Sequence, residues 1–148
     1  MKPSTKAELA LNGMVELARR VPATPMSLAI LAKKQSISLS YLEQIFAVLR
    51  RRGLVISVRG PGGGYLLAMP AERISTGDII AAVDDVPSDR TQGTSAEDVN
   101  KAGNTRDFWQ AMHRQVLDLF RTTSLQDVLD GSFRKFDFES ESAAHAAE

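Results

Sequence analysis

The chain has 148 residues, 43% of them apolar, no cysteine, and a formal net charge of zero. That length bounds it to one domain, or one small domain with a dimerisation extension. Zero cysteine excludes disulfides and thiol-based redox sensing. No apolar run approaches a membrane span and the opening MKPSTKAELA lacks a signal-peptide core, so a cytoplasmic location is the simplest expectation.

The zero charge hides a division. Residues 1–67 carry ten Lys/Arg against three acids, +7, and the remainder carries 8 against 15, −7. This polarity is expected of a DNA-binding half joined to a non-binding half. Chance clustering of solvated charge is the other reading.

Thr5 to Arg20 reads as a first helix, with Leu11, Met14, Val15 and Ala18 as an apolar stripe and Arg19–Arg20 suiting its C-terminus. Two prolines punctuate the connector Val21–Pro25. Ser27 can cap LAILAKKQ, whose Leu28, Ile30 and Leu31 are expected to face inward. Ser36 then turns the chain into the helix on which everything else depends.

That helix begins at Ser38 or Ser40. Ser40 with Glu43 fits a capping box, in which each side chain meets the other's free backbone N–H. Leu42, Ile45, Phe46 and Leu49 share one face at helical spacing. Ser38, Ser40, Tyr41, Glu43 and Gln44 occupy the exposed opening turns. Arg50, Arg51 and Arg52 close the helix, and Gly53 supplies the left-handed residue beyond it. LVISV and YLLAM read as short strands. The RGPGGG between them makes a tight tip, with proline fixing one dihedral and glycines permitting positive ones.

A helix followed by a two-stranded ribbon with a cationic tip is the winged helix-turn-helix plan. The expected fold class is mainly α with a small β-wing, plus a long dimerisation helix. The recognition helix would enter the major groove and the wing would reach phosphates or the minor groove. Arg59, beside Gly60, is the obvious tip cation. Glu43 can accept from cytosine N4 and Gln44 can read an adenine edge; the alternatives are a capping acid and a solvated amide. The Tyr41 hydroxyl either holds a phosphate or the ring packs sideways against the wing. Arg50 and Arg51 are phosphate candidates as well as a helix end. A nucleotide-binding loop is rejected for RGPGGGY, because a strand follows it and no Lys-Ser/Thr pair is present.

Ser75 or Thr76 caps GDIIAAVDD, with Asp78 in the favourable first turn and Ile79, Ile80 and Val83 on the core side. Val86 to Thr105 is polar and irregular, a loop long enough to be either functional or disordered. Asn104 to Thr122 forms a long helix, capped by Asn104 or Thr105. Its stripe is Phe108, Met112, Val116, Leu119 and Phe120, with Trp109 to one side. So broad an apolar arc needs more than one small domain to cover it. Ser124 caps LQDVLDG, ended by Gly131, and the last dozen residues are expected to be disordered. The resulting division is 1–85 DNA-binding domain, 86–104 loop, 105–131 dimerisation helices and 132–148 tail. No arrangement of the two histidines with acids or nucleophiles meets the geometric needs of catalysis, so no enzyme is expected.

SLSYLEQIFAVLRRRGLVISVRGPGGGYLL, continued by STGDIIAAVD and Trp109, resembles the Rrf-two family of bacterial transcription regulators. The likeness is greatest to the iron–sulfur cluster regulator (IscR) branch and runs from about Thr5 to about Leu129. It implies a homodimeric, winged-helix repressor or activator on a near-palindromic double-stranded operator, nucleoid-associated when bound. It implies a part for Glu43 in operator discrimination. It also implies that Phe108, Trp109, Met112, Val116, Leu119 and Phe120 pack against the partner's copy, and that the short helix after Ser124 packs across the dimer.

The resemblance fails at the cofactor. Relatives hold their cluster with three cysteines and a histidine, and the corresponding positions here are Thr91, Glu97, Gly103 and Arg106. None is a thiolate, so no iron–sulfur cluster and no metal site is expected. A cluster-free regulator that binds constitutively is one outcome. Sensing of an unknown effector, or a winged-helix module restraining an enzyme, are the alternatives.

Overall fold

The computed structural model describes residues 4–84 and 103–133. In chain order these form α1 (Thr5–Ala18), α2 (Leu28–Gln35), α3 (Leu39–Arg51), β1 (Val55–Val58) and β2 (Gly64–Leu67). A single 3-10 turn (Ala71–Arg73), α4 (Thr76–Val83), α5 (Gly103–Thr122) and α6 (Leu125–Asp130) complete them. Most of the expected loop, including Thr91 and Glu97, and the tail beyond Phe133 lie outside the described residues.

Helix α1 is capped by Ser4, whose hydroxyl accepts from the Ala7 N–H and donates to Asp84 at the end of α4. Its buried face is Ala7, Ala10, Gly13, Met14 and Leu17. Of the expected stripe only Met14 is fully enclosed, while Leu11, Val15 and Ala18 are partly buried at its edge. The difference has a steric cause. Small residues let α1 approach the centre, and a Cβ on Gly13 would press against the Phe46 ring. In α2, capped by Ser27 as expected, Leu31 and Ala32 turn inward and Leu28 is half-buried. Ile30 corrects the expectation: it is 55% exposed, because the inward face repeats at 28, 31 and 32 and leaves position 30 off to the side.

The α3 cap is Ser38, which accepts from the Tyr41 N–H at 3.2 Å. The expected Ser40–Glu43 capping box is therefore absent: Ser40 already lies inside the first turn, and Glu43 is left exposed. Leu42, Ile45, Phe46 and Leu49 all fall to zero exposure. At the other end Gly53 sits at φ 74, with Gly53 N–H donating to Arg50 C=O and Leu54 N–H to Leu49 C=O. These two bonds are a Schellman cap and swing the chain straight into β1.

The strands pair antiparallel with Val55 opposite Leu67 and Val58 opposite Gly64. β2 stops at Leu67, two residues before the expected Met69, although Ala68 N–H still donates to Leu54 C=O. Met26, from the α1–α2 connector, exchanges both backbone hydrogen bonds with Tyr65 at 3.0 and 2.9 Å. The outer edge of β2 is thus anchored to the α1–α2 connector close to the ribbon tip. Gly64 (φ 151) is required there, since a Cβ would run into the Met26 backbone.

Ser75 closes a full capping box with Asp78 at the start of α4, and Ile79 and Val83 join the core with Ile80 at its margin. Helix α5 starts at Gly103, so Asn104 and Thr105 lie within it and do not cap it. Its C-terminal end is bolted to α4. Thr76 Oγ1 donates to Phe120 C=O at 2.8 Å and Thr76 N–H to Thr123 C=O at 2.9 Å. The Phe120 carbonyl is among the last four of its helix, which have no partner within the helix itself. Removing the hydroxyl by Thr76→Val is expected to lower stability by about 1–2 kcal/mol in urea unfolding, because that carbonyl loses its buried donor. Helix α6, with its own Ser124–Asp127 capping box and Gly131 at φ 70, packs on α1 and the 3-10 turn of its own chain. Leu125 is fully buried there, so this contact forms without a second subunit.

Candidate nucleic-acid interface

With Leu42, Ile45, Phe46 and Leu49 committed to the core, the opposite face of α3 is fixed by helical geometry. At 100° per residue, Ser40, Glu43, Gln44, Ala47 and Arg51 fall along one line facing away from the buried side. All but Ala47 are exposed. Ser38 stands at the helix entrance with its oxygen accepting the cap bond, its hydroxyl hydrogen still able to donate. Tyr41 is flanking and half-buried, its ring packed against the core.

The arginines separate. Arg50 leans toward the wing, where its Nη1 donates to Ser57 Oγ on β1 at 3.4 Å. Arg51 continues the exposed line of α3. Arg59 and Gly60 lie at the exposed ribbon tip, with Gly60 at φ 98 and Gly63 N–H closing the turn onto Gly60 C=O at 2.9 Å. Among the described residues the ion pairs are Glu16 with Arg19 and with Lys34, both away from this face. Arg51, Arg52 and Arg59 therefore have no carboxylate partner among the described residues and present positive charge on the α3–wing face. Such cations suit phosphate, whose neutralisation drives most nucleic-acid affinity.

One structural determinant left no clear trace in the sequence. Met26 looks like a connector residue between Pro25 and the Ser27 cap, yet its backbone holds the wing. Glycines on both sides of Pro61 were a visible signal for the turn, but none marked its anchor.

The second set of expected residues lies on α5. No residue of this helix is buried. Phe108 and Trp109 are 55% and 60% exposed, and their rings meet edge to face at 5.3 Å. Met112 is 45% exposed one turn on. Val116 is half-buried, while Leu119 and Phe120 sit over their own domain beside a groove of about 270 Å³. That groove is walled also by Leu11, Ile80 and Val128. The apolar stripe is therefore half used within the chain and half uncovered.

Of the four positions expected to correspond to cluster ligands, Gly103 and Arg106 are described, at the start of α5. Neither offers a thiolate, and a chain without cysteine cannot ligate a cluster in that way. Among the described residues no three His, Asp or Glu side chains gather into a metal-binding group. No described helix is long and apolar enough to cross a membrane.

Comparison with known proteins agrees with this architecture. The family model described as "Rrf2: Iron-dependent Transcriptional regulator" matches residues 3–131. The HTH-type transcriptional regulator IscR of Klebsiella pneumoniae is 36% identical, over 95% of this chain and 91% of its own. IscR of Escherichia coli O1:K1 is 39% identical, over 91% and 88%. Among solved structures, CymR, the global cysteine regulator of B. subtilis, superposes with a TM-score of 0.75 at 33% identity, covering 88% of this chain and 97% of that one. T. potens IscR gives 0.71 at 31% identity, covering 95% and 96%. These are transcription regulators, not enzymes. With its helix-turn-helix, wing and long α5 all in place, the chain belongs to the Rrf2 family of DNA-binding transcriptional regulators.

Proposed function

We propose that the protein acts as a cytoplasmic homodimer that reads a near-palindromic operator without an iron–sulfur cluster. The observation that carries this is the exposed α3 line of Ser40, Glu43, Gln44 and Arg51 beside the wing cation Arg59, which has no ion-pair partner among the described residues. Glu43 and Gln44 read base edges, as acceptor from cytosine and as bidentate partner of adenine. Arg50, Arg51 and Arg59 fix the helix and wing on phosphates, with Ser38, Ser40 and Tyr41 as polar flanking contacts. Gly60 allows the wing tip to come close to the backbone of the duplex.

The uncovered half of α5 supports the dimer. Phe108, Trp109 and Met112 would leave an apolar surface in water on a lone chain, and the stripe runs on into the groove beside Leu119 and Phe120. A second copy covers both in an isologous arrangement and places two recognition helices on successive half-sites. Absence of thiolates supports the cluster-free reading, and binding then does not depend on iron.

Arg59→Ala tests the wing assignment. Its operator affinity is expected to fall, and the slope of log affinity against log salt to flatten by about one unit, as for loss of one phosphate contact. Fluorescence anisotropy at several salt concentrations reads both. Unchanged affinity and slope would remove Arg59 from the interface.

A further inference from the structure

Recognition helix and wing meet at two points that share one rung of the ribbon. On α3, Phe46 and Arg50 are four residues apart, so their side chains lie on adjacent turns of one face. On the ribbon, Ser57 of β1 stands directly opposite Tyr65 of β2. Phe46 meets the Tyr65 ring edge to face at 5.2 Å, and Arg50 Nη1 donates to Ser57 Oγ at 3.4 Å. Phe46 is fully buried, whereas Arg50 and Ser57 are exposed. The inner contact packs the two elements together and the outer one faces solvent.

The rung is held from its far side too, because Tyr65 exchanges both backbone hydrogen bonds with Met26. Ser57 is therefore a fixed point on the wing, and Arg50 a long side chain that can be directed from it. The bond between them is long for an N–H···O contact and lies in solvent, so it adds little to stability. Its consequence is direction. A hydroxyl engages a single guanidinium N–H and leaves the others for a second acceptor. It is also neutral. A carboxylate at position 57 would pair with the guanidinium and cancel its charge, and among the described residues no carboxylate pairs with Arg50. Ser57 orients the cation yet leaves its charge available to a phosphate, on the face that also carries Arg51 and Arg59.

We propose that Ser57 is a positioning residue for operator binding, acting through Arg50 alone. Its hydroxyl aims the Arg50 guanidinium at a phosphate lying between recognition helix and wing. One cation then sets both elements on the same stretch of backbone. The inference rests on the reading of Arg50 as a phosphate contact.

The test is a double-mutant cycle in the full-length protein, read by fluorescence anisotropy on the duplex it enriches most from genomic fragments. Ser57→Ala is expected to weaken binding by about three- to ten-fold, the range for loss of one hydrogen bond. In an Arg50→Ala background the same change should alter affinity by less than about two-fold, since nothing is left to aim. Ser57→Thr keeps the hydroxyl on a residue suited to a strand and should bind within about two-fold of the parent. Ser57→Ala should also melt with the parent, because the contact it loses is exposed. Parent-like affinity of Ser57→Ala, with Arg50→Ala weakened, would overturn the inference and leave Arg50 on its phosphate. An equal loss in both backgrounds would overturn it as well, placing Ser57 itself on the duplex. So would a loss that Ser57→Thr fails to restore, or one accompanied by a lower melting temperature. Arg50→Ala binding as tightly as the parent would instead sink the phosphate reading on which the inference rests.

Discussion

Trp109→Asp combined with Met112→Asp is expected to convert the protein to a monomer and to lower affinity for a two-fold operator by about 10²–10⁴-fold, the range over which linkage of two sites multiplies affinity. Both side chains are among the most exposed large apolar groups of the chain, at 60% and 45%. Neither touches the buried core cluster, so the domain should keep its fold. The carboxylates would instead face each other across the two-fold axis in a place that needs apolar cover. Sedimentation velocity gives the mass, circular dichroism the retained fold, and anisotropy the affinity. A variant that stays dimeric would move the interface away from the N-terminal half of α5.

Phe46→Ala is expected to be the most damaging single change to stability, costing about 3–5 kcal/mol, the range for truncating a buried aromatic. Phe46 has zero exposure and reaches three parts of the domain. Its ring lies against Gly13 of α1, stands edge to face with Tyr65 of β2 at 5.2 Å, and is carried by α3 itself. Its loss would free the recognition helix from both α1 and the wing. Most domains of this size hold only about 5–15 kcal/mol in total, so a large shift in the urea midpoint is the expected readout. A shift below about 1 kcal/mol would mean that the cavity collapses freely and that Phe46 is not the joint described.

The α3–wing unit was legible in the sequence because every local signal agreed. The 42, 45, 46, 49 spacing, the arginine-rich end, Gly53 and the glycine tip all point to the same geometry, and tertiary packing had nothing to override. Where signals competed, the reading slipped. Two serines could cap α3, and Ser38 prevails because α2 ends at Gln35 with only Ser36 and Ile37 to turn the chain. That choice releases Glu43 from capping and leaves it an exposed acid on the outward face of α3.

The stripe of α1 was misplaced for a different reason. Its inward face is built partly from Ala7, Ala10 and Gly13, which carry little hydrophobic signal but allow close approach. Larger neighbours, Leu11 and Val15, drew the expected face toward themselves. Ile30 erred in the same way, since at 100° per residue it lies about 200° round the helix from Leu28 and cannot share its side. The Met26–Tyr65 bridge is made by backbone atoms alone, so no side-chain pattern could announce it. For α5 the amphipathic arc was legible, and the structure divides it: Leu119 and Phe120 rest beside their own domain, while Phe108, Trp109 and Met112 stay uncovered.

Operator selection from genomic fragments by the purified, chelator-treated full-length protein tests the central claim most directly. The account predicts an enriched two-fold motif, bound with an affinity that added iron and sulfide leave unchanged. A folded dimer that enriches no motif, or does so only after iron and sulfide are supplied, would contradict it.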